Sequence, residues 1–95
     1  MKANKHRPSS LTVMGVADIV LGPIAVENDI EVGFNPVPSG DALLEVDWPD
    51  THVLTLEELE TSSKAMSKLL GVDVELQKII GGYDIVPVRK SAPVV

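Results

Sequence analysis

The sequence predicts an α+β domain: a small antiparallel sheet, one main amphipathic helix at about 55–70, a short second helix at about 73–80, and extended N- and C-terminal arms. Three observations lead there. A capping signal followed by apolar residues at helical spacing begins at Thr55. Short β-branched or alternating segments punctuated by Gly, Pro and Asn fill the first half. Both ends are polar, basic or proline-bearing. With 95 residues the chain has room for one core, so 1–10 reads as a basic arm, 11–88 as the domain and 89–95 as a tail.

Residues 11–21 are rich in β-branched types and read as extended, with Gly15 marking a bulge or break. Gly22-Pro23 is a turn signal, and residues 24–26 open another extended segment. Asn28-Asp29 suggests a turn. Ile30, Val32 and Phe34 alternate with Glu31 and Gly33, the period of a half-buried strand. Residues 35–40 are loop chemistry, since Pro36 and Pro38 remove ladder donors. Residues 43–46 form a short strand that Trp48-Pro49-Asp50 closes.

The strongest signal follows. Thr55 stands three positions before Glu58, as a capping box requires. Leu56, Leu59, Met66, Leu69 and Leu70 fall near one helical face, with Ser63 a polar gap in it. Glu57, Glu58 and Glu60 sit at the positive end of the helix dipole, Lys64 and Lys68 at the negative end, and Gly71 fits the C-terminal cap. Leu76, Ile79 and Ile80 then give i, i+3, i+4 spacing after Asp73, and Gly81-Gly82 stops the run. Residues 83–88 return to strand character, with Pro87 placing them at an edge or a strand end.

Residues 63–82, a helix ending in Leu69-Leu70-Gly71-Val72 followed by a turn and a second short helix, resemble a DNA-binding helix-turn-helix over about a fifth of the chain. That resemblance implies a DNA-binding regulator. The residues argue the other way. The would-be recognition helix carries Asp73 and Glu75 against Lys78 alone, which phosphates repel, and Gln77 falls where an aliphatic side chain is normally buried.

Charge has a sharper shape than the net −6 suggests. Every acid lies between Asp18 and Asp84, whereas Lys2, Lys5, Arg7, Arg89 and Lys90 supply five of the eight cations from the two ends. An acidic body with basic tails suits docking on acidic protein surfaces, copies of itself included, and disfavours nucleic acid. Solvated chain ends explain the same tails without any partner. The lack of cysteine removes thiol catalysis, Fe–S clusters and thiolate zinc sites.

Catalytic signals are weak. Asp47, Asp50 and His52 are the best cluster, since a His between carboxylates suits general-base work or a hard metal ion. Pro49 makes the segment a turn, which explains Asp50 and Thr51 equally well. Asp41, Glu45 and Asp47 read as an acidic ridge or simply a solvated strand face. Thr61 precedes Lys64 by three positions with no partner motif, and no nucleophile elbow or phosphate-cradling glycine loop is present. No cofactor, metal or small-molecule substrate is expected, and the chain is expected to be no enzyme.

The function expected from these features is structural assembly, with a viral capsid accessory (decoration or minor capsid) subunit as its concrete form. Its partners would be itself or a larger protein shell, and Lys2, Lys5, Arg7, Arg89, Lys90, Phe34 and Trp48 are the candidate interaction residues. The alternative is a small acidic inhibitor or adaptor that masks a basic surface, which needs Glu57, Glu58, Glu60 and the acids of 41–50 on one face. No stretch is expected to reach the ~20 apolar residues that span a bilayer. The expected location is the cytoplasm at synthesis, and a virion thereafter.

Overall fold

A computed structural model of the chain describes residues 8–37 and 40–88. Its order is α1 (Ser10–Glu27), β1 (Gly33–Pro36), β2 (Leu44–Asp47), a 3-10 turn (Asp50–His52), α2 (Leu56–Leu70), β3 (Val74–Ile79) and β4 (Gly82–Pro87). The four strands form one antiparallel sheet in the order β1-β2-β4-β3. The α+β class holds, and both helices pack on one side of the sheet.

The register explains the two sides. Phe34 pairs with Val46, Val46 with Tyr83, and Leu44 with Ile85, which in turn pairs with Leu76. Side chains alternate along a strand, so these residues share the inner face. There they join Val13, Leu21, Leu54 and Met66 in one core. The opposite face carries Asn35, Glu45, Asp47, Asp84, Glu75 and Gln77, and among the described residues no helix covers it.

Two expectations about elements are corrected. Residues 11–21 and 24–26 are a single helix, α1, not extended segments. Ser9 caps it, its hydroxyl accepting from the Thr12 N–H at 3.2 Å. Val13, Val16, Ala17, Leu21 and Ala25 then recur at helical spacing and are buried. Burial of that stripe outweighs the unfavourable propensities of Gly15 and the β-branched residues, which cost from tenths to about 1 kcal/mol per residue. Pro23 is tolerated within the helix. The helix ends as Asn28-Asp29 suggested. Asp29 takes φ 56°, its N–H donates to the Val26 carbonyl, and the Ile30 N–H donates to the Ala25 carbonyl. This is a Schellman motif with Asp in the place usually held by Gly.

The short helix expected at 73–80 is the second correction, because Val74–Ile79 is a strand, β3. Val74 and Leu76 face inward and alternate with exposed Glu75 and Gln77. The i, i+3, i+4 spacing of Leu76, Ile79 and Ile80 masked that alternation. Gly81, at φ 81°, turns the chain from β3 into β4. Gly82 is fixed by close approach: a Cβ there would lie 1.8 Å from the Val46 carbonyl oxygen. Pro87 closes β4, an interior strand, so it marks an end and not an edge.

The main helix is where the sequence puts it. Thr55 and Glu58 exchange both capping-box bonds, at 3.0 and 2.9 Å, and Gly71 ends the helix at φ 78°. The Ser63 gap has a purpose. Ser67 Oγ accepts from the Val74 N–H at 2.9 Å and donates to the Val74 carbonyl at 3.1 Å, while Ser63 Oγ accepts from the Leu76 N–H at 3.3 Å. One helical turn between the serines matches the rise of two strand residues. The helix thereby covers the outer edge of β3, which would otherwise invite another strand.

Candidate functional site

Of the sequence-predicted interaction residues, Lys2, Lys5, Arg7, Arg89 and Lys90 lie outside the described residues. Phe34 is half-buried on β1 and packs against the core. Trp48 is only 2% exposed, which removes it as an anchor for a partner. Its Nε1 donates to the His52 carbonyl at 2.7 Å, and its ring meets Tyr83 edge-on at 6.4 Å. The Tyr83 hydroxyl in turn accepts from the buried Leu54 N–H at 2.9 Å. The aromatic pair therefore holds the link between β2 and α2 in place.

Asp47, Asp50 and His52 do not converge on a common point. Asp47 accepts from the Asn35 amide at 3.1 Å. Asp50 pairs with Lys78 at 2.8 Å and accepts from the Gly81 N–H at 3.2 Å. Those bonds from the Lys78 ammonium and the Gly81 backbone hold its carboxyl below the usual carboxylate range. Lys78 also sits 5.4 Å from the Tyr83 ring centre, so this cluster ties the β3–β4 turn to the segment after β2. The Thr51 hydroxyl and His52 Nδ1 lie within hydrogen-bond distance, at 3.1 Å. Among the described residues no group of His, Asp and Glu has the arrangement of a metal site.

The acidic ridge exists but differs from its expected membership. Glu45 stands directly opposite Asp84, and Asp47 and Glu75 share their face of the sheet. Asn35 and Gln77 flank the Glu45–Asp84 pair in the adjoining strands. Directly opposed like charges are unfavourable. Glu57, Glu58 and Glu60 lie on α2, in the other layer, so the two sets of acids do not form one face.

Residues 63–82, which resemble a helix-turn-helix in sequence, are a helix, a turn and two strands of a hairpin. Between α2 and β3 runs an open groove of about 940 Å³. Leu59, Leu76 and Val88 give it an apolar floor, and Glu60, Lys64 and Lys68 line its rim. Its serines are already engaged with the β3 backbone.

The feature that the sequence reading missed is the outer face of α1. Leu11 is 78% exposed, Ile19 65% and Val26 81%, although the opposite side of the same helix lies in the core. Gly15, Asp18 and Gly22 complete this outward stripe. By length and composition α1 is apolar enough to cross a membrane, contrary to the expectation that no stretch would be. The signal in the sequence is the near absence of charge over residues 10–27, where Asp18 and Glu27 are the only ionisable side chains. Compared with known protein families, with curated proteins and with solved structures, the chain matches none.

Proposed function

We propose that this protein is a non-enzymatic assembly module that associates with copies of itself through the outward face of α1. One observation carries the proposal: three large apolar side chains stand exposed along a helix whose other side is built into the core. Exposed apolar residues scattered singly are ordinary, but a stripe of them on one element is typical of association surfaces. Association would remove that stripe from water, each fully buried aliphatic side chain contributing ~1.5–3 kcal/mol. A domain of this size gains from such additional burial.

A bilayer-spanning role for α1 fits less well. Val13, Val16, Ala17, Leu21 and Ala25 would have to leave the core, and the sheet would lose much of its cover. An adaptor that masks a basic surface draws on the uncovered carboxylates Glu45, Asp47, Glu75 and Asp84, and is the second reading. A capsid setting draws on the basic chain ends, which lie outside the described residues, and on Phe34 and Trp48, which the core holds.

Light scattering of the full chain tests the proposal. A discrete multiple of the chain mass that persists at high salt is expected, and Ile19→Lys should reduce it to the single-chain mass while leaving the circular dichroism spectrum unchanged. A wild-type chain that stays monomeric at all concentrations would remove the proposal and favour the adaptor reading.

A further inference from the structure

We infer that the assembly unit is a two-fold dimer in which the α1 helices of two copies pack antiparallel, with Gly15 of each against Gly22 of the other. The inference rests on the reading of α1 as a self-association face, and adds its geometry. A two-fold interface must be self-complementary, so that if residue i meets residue j, then j meets i. For antiparallel helices this means that residues equidistant from a midpoint face each other.

The outward stripe of α1 has that symmetry. About a midpoint between Asp18 and Ile19, Leu11 mirrors Val26 and Gly15 mirrors Gly22. Large apolar residues thus oppose large apolar residues near both ends. Glycines oppose glycines on either side of the centre, and Ile19 meets its own copy near the axis. Asp18 falls on the opposite rim, where it stands near its own copy and both carboxylates remain in water.

The glycines make an independent point. A Gly within a helix costs ~1 kcal/mol relative to Ala. The fold of the single chain does not require either one. A Cβ at Gly15 would meet nothing within 4 Å, and at Gly22 it would meet only Asp18 Oδ1, at 3.4 Å. Two glycines facing outward at mirrored positions let a second helix backbone approach closely, which side chains there would prevent.

Charge selects the antiparallel arrangement over the parallel one. Exposed Glu27, Asp29 and Glu31 cluster at the C-terminal end of α1. Antiparallel pairing keeps these acidic ends apart and aligns the helix dipoles favourably. Parallel pairing sets acids against acids. A lipid surface matches less well, because the net −6 chain is repelled by anionic headgroups and a bilayer does not require mirrored positions.

The chain has no cysteine, so single-cysteine variants report geometry cleanly. Leu11→Cys and Val26→Cys change exposed positions that the core does not use. Each variant alone, and an equimolar mixture allowed to exchange, is treated with a short bis-maleimide, and the same samples are weighed by light scattering. The expected result is a covalent dimer in the mixture and little in either variant alone. Cross-linking of each variant with itself would overturn the antiparallel geometry in favour of a parallel pair. An oligomer by mass with no cross-link in any sample would overturn the geometry while sparing self-association. A single-chain mass throughout would overturn both, and flotation of that single chain with zwitterionic vesicles would assign the stripe to lipid.

Discussion

The two helices of this fold reach the same layer by different routes. α2 has a capping box, acids in its first turn, a basic last turn and a glycine cap, so local interactions and an amphipathic pattern both specify it. α1 has a serine cap but no acid in its first turn and no base in its last, and it is apolar on both sides. Its helical form comes mainly from burying one side. A helix that needs only one apolar side for the fold, yet has two, has an apolar side left over. α2 also exposes Leu56 and Leu69, but these lie near its two ends, whereas Leu11, Ile19 and Val26 run along the whole of α1, which is the basis for assigning the association surface there.

The comparison can be tested by substitutions on its two sides. The largest effect is expected inside α1. Leu21→Ala, at a fully buried position, should cost ~2–5 kcal/mol, whereas Leu11→Ala on the outer side should stay within ~0.5 kcal/mol. Urea unfolding in the Ile19→Lys background measures both in a single chain. Equal losses would show that the two sides of α1 are not distinct.

A smaller effect is expected where α2 covers the sheet edge. Ser67→Ala strips both partners from the part-buried Val74 backbone and should cost ~1–3 kcal/mol. Hydrogen exchange at Val74 should accelerate along with it. Loss of the cap through Thr55→Ala should cost ~1 kcal/mol, read as a shift in the urea midpoint at constant slope.

The smallest effect is expected at Asp50. Its folded pKa lies below its unfolded value of 3.8, so its contribution is present above that value and is lost as pH falls through the folded pKa. Asp50→Asn should therefore slightly lower stability near neutrality and flatten the acid limb of the stability curve. Because the group is open to solvent, the change should shrink with added salt.

The legibility of the sequence follows the same contrast. α2 was readable to within a residue because its apolar and charged positions alternate at the helical period. α1 was not, because Val13, Val16, Ala17 and Leu21 sit among equally apolar Leu11, Ile19 and Val20, leaving no contrast to set a period. β-branched content then suggested strands. In β3 the inward Val74 and Leu76 signal a strand, but Ile79 at its end and Ile80 in the hairpin turn supply a competing helical spacing. Ser63 and Ser67 looked like interruptions because their partners on β3 come from tertiary packing. Trp48 looked like an anchor because its Nε1 partner, the His52 carbonyl, is fixed by a turn whose geometry composition does not reveal. The candidate surface was illegible for a related reason: the outer side of α1 is defined only once the core has claimed the inner one.

The central claim is that folding of α1 leaves an apolar face which a second copy covers. Thermal unfolding of the full chain over about a hundredfold range of concentration tests it most directly, because association stabilises the folded state by mass action. The account predicts a melting temperature that rises with concentration for the wild type and stays flat for Ile19→Lys. A wild-type melting temperature independent of concentration, at the single-chain mass, would contradict it.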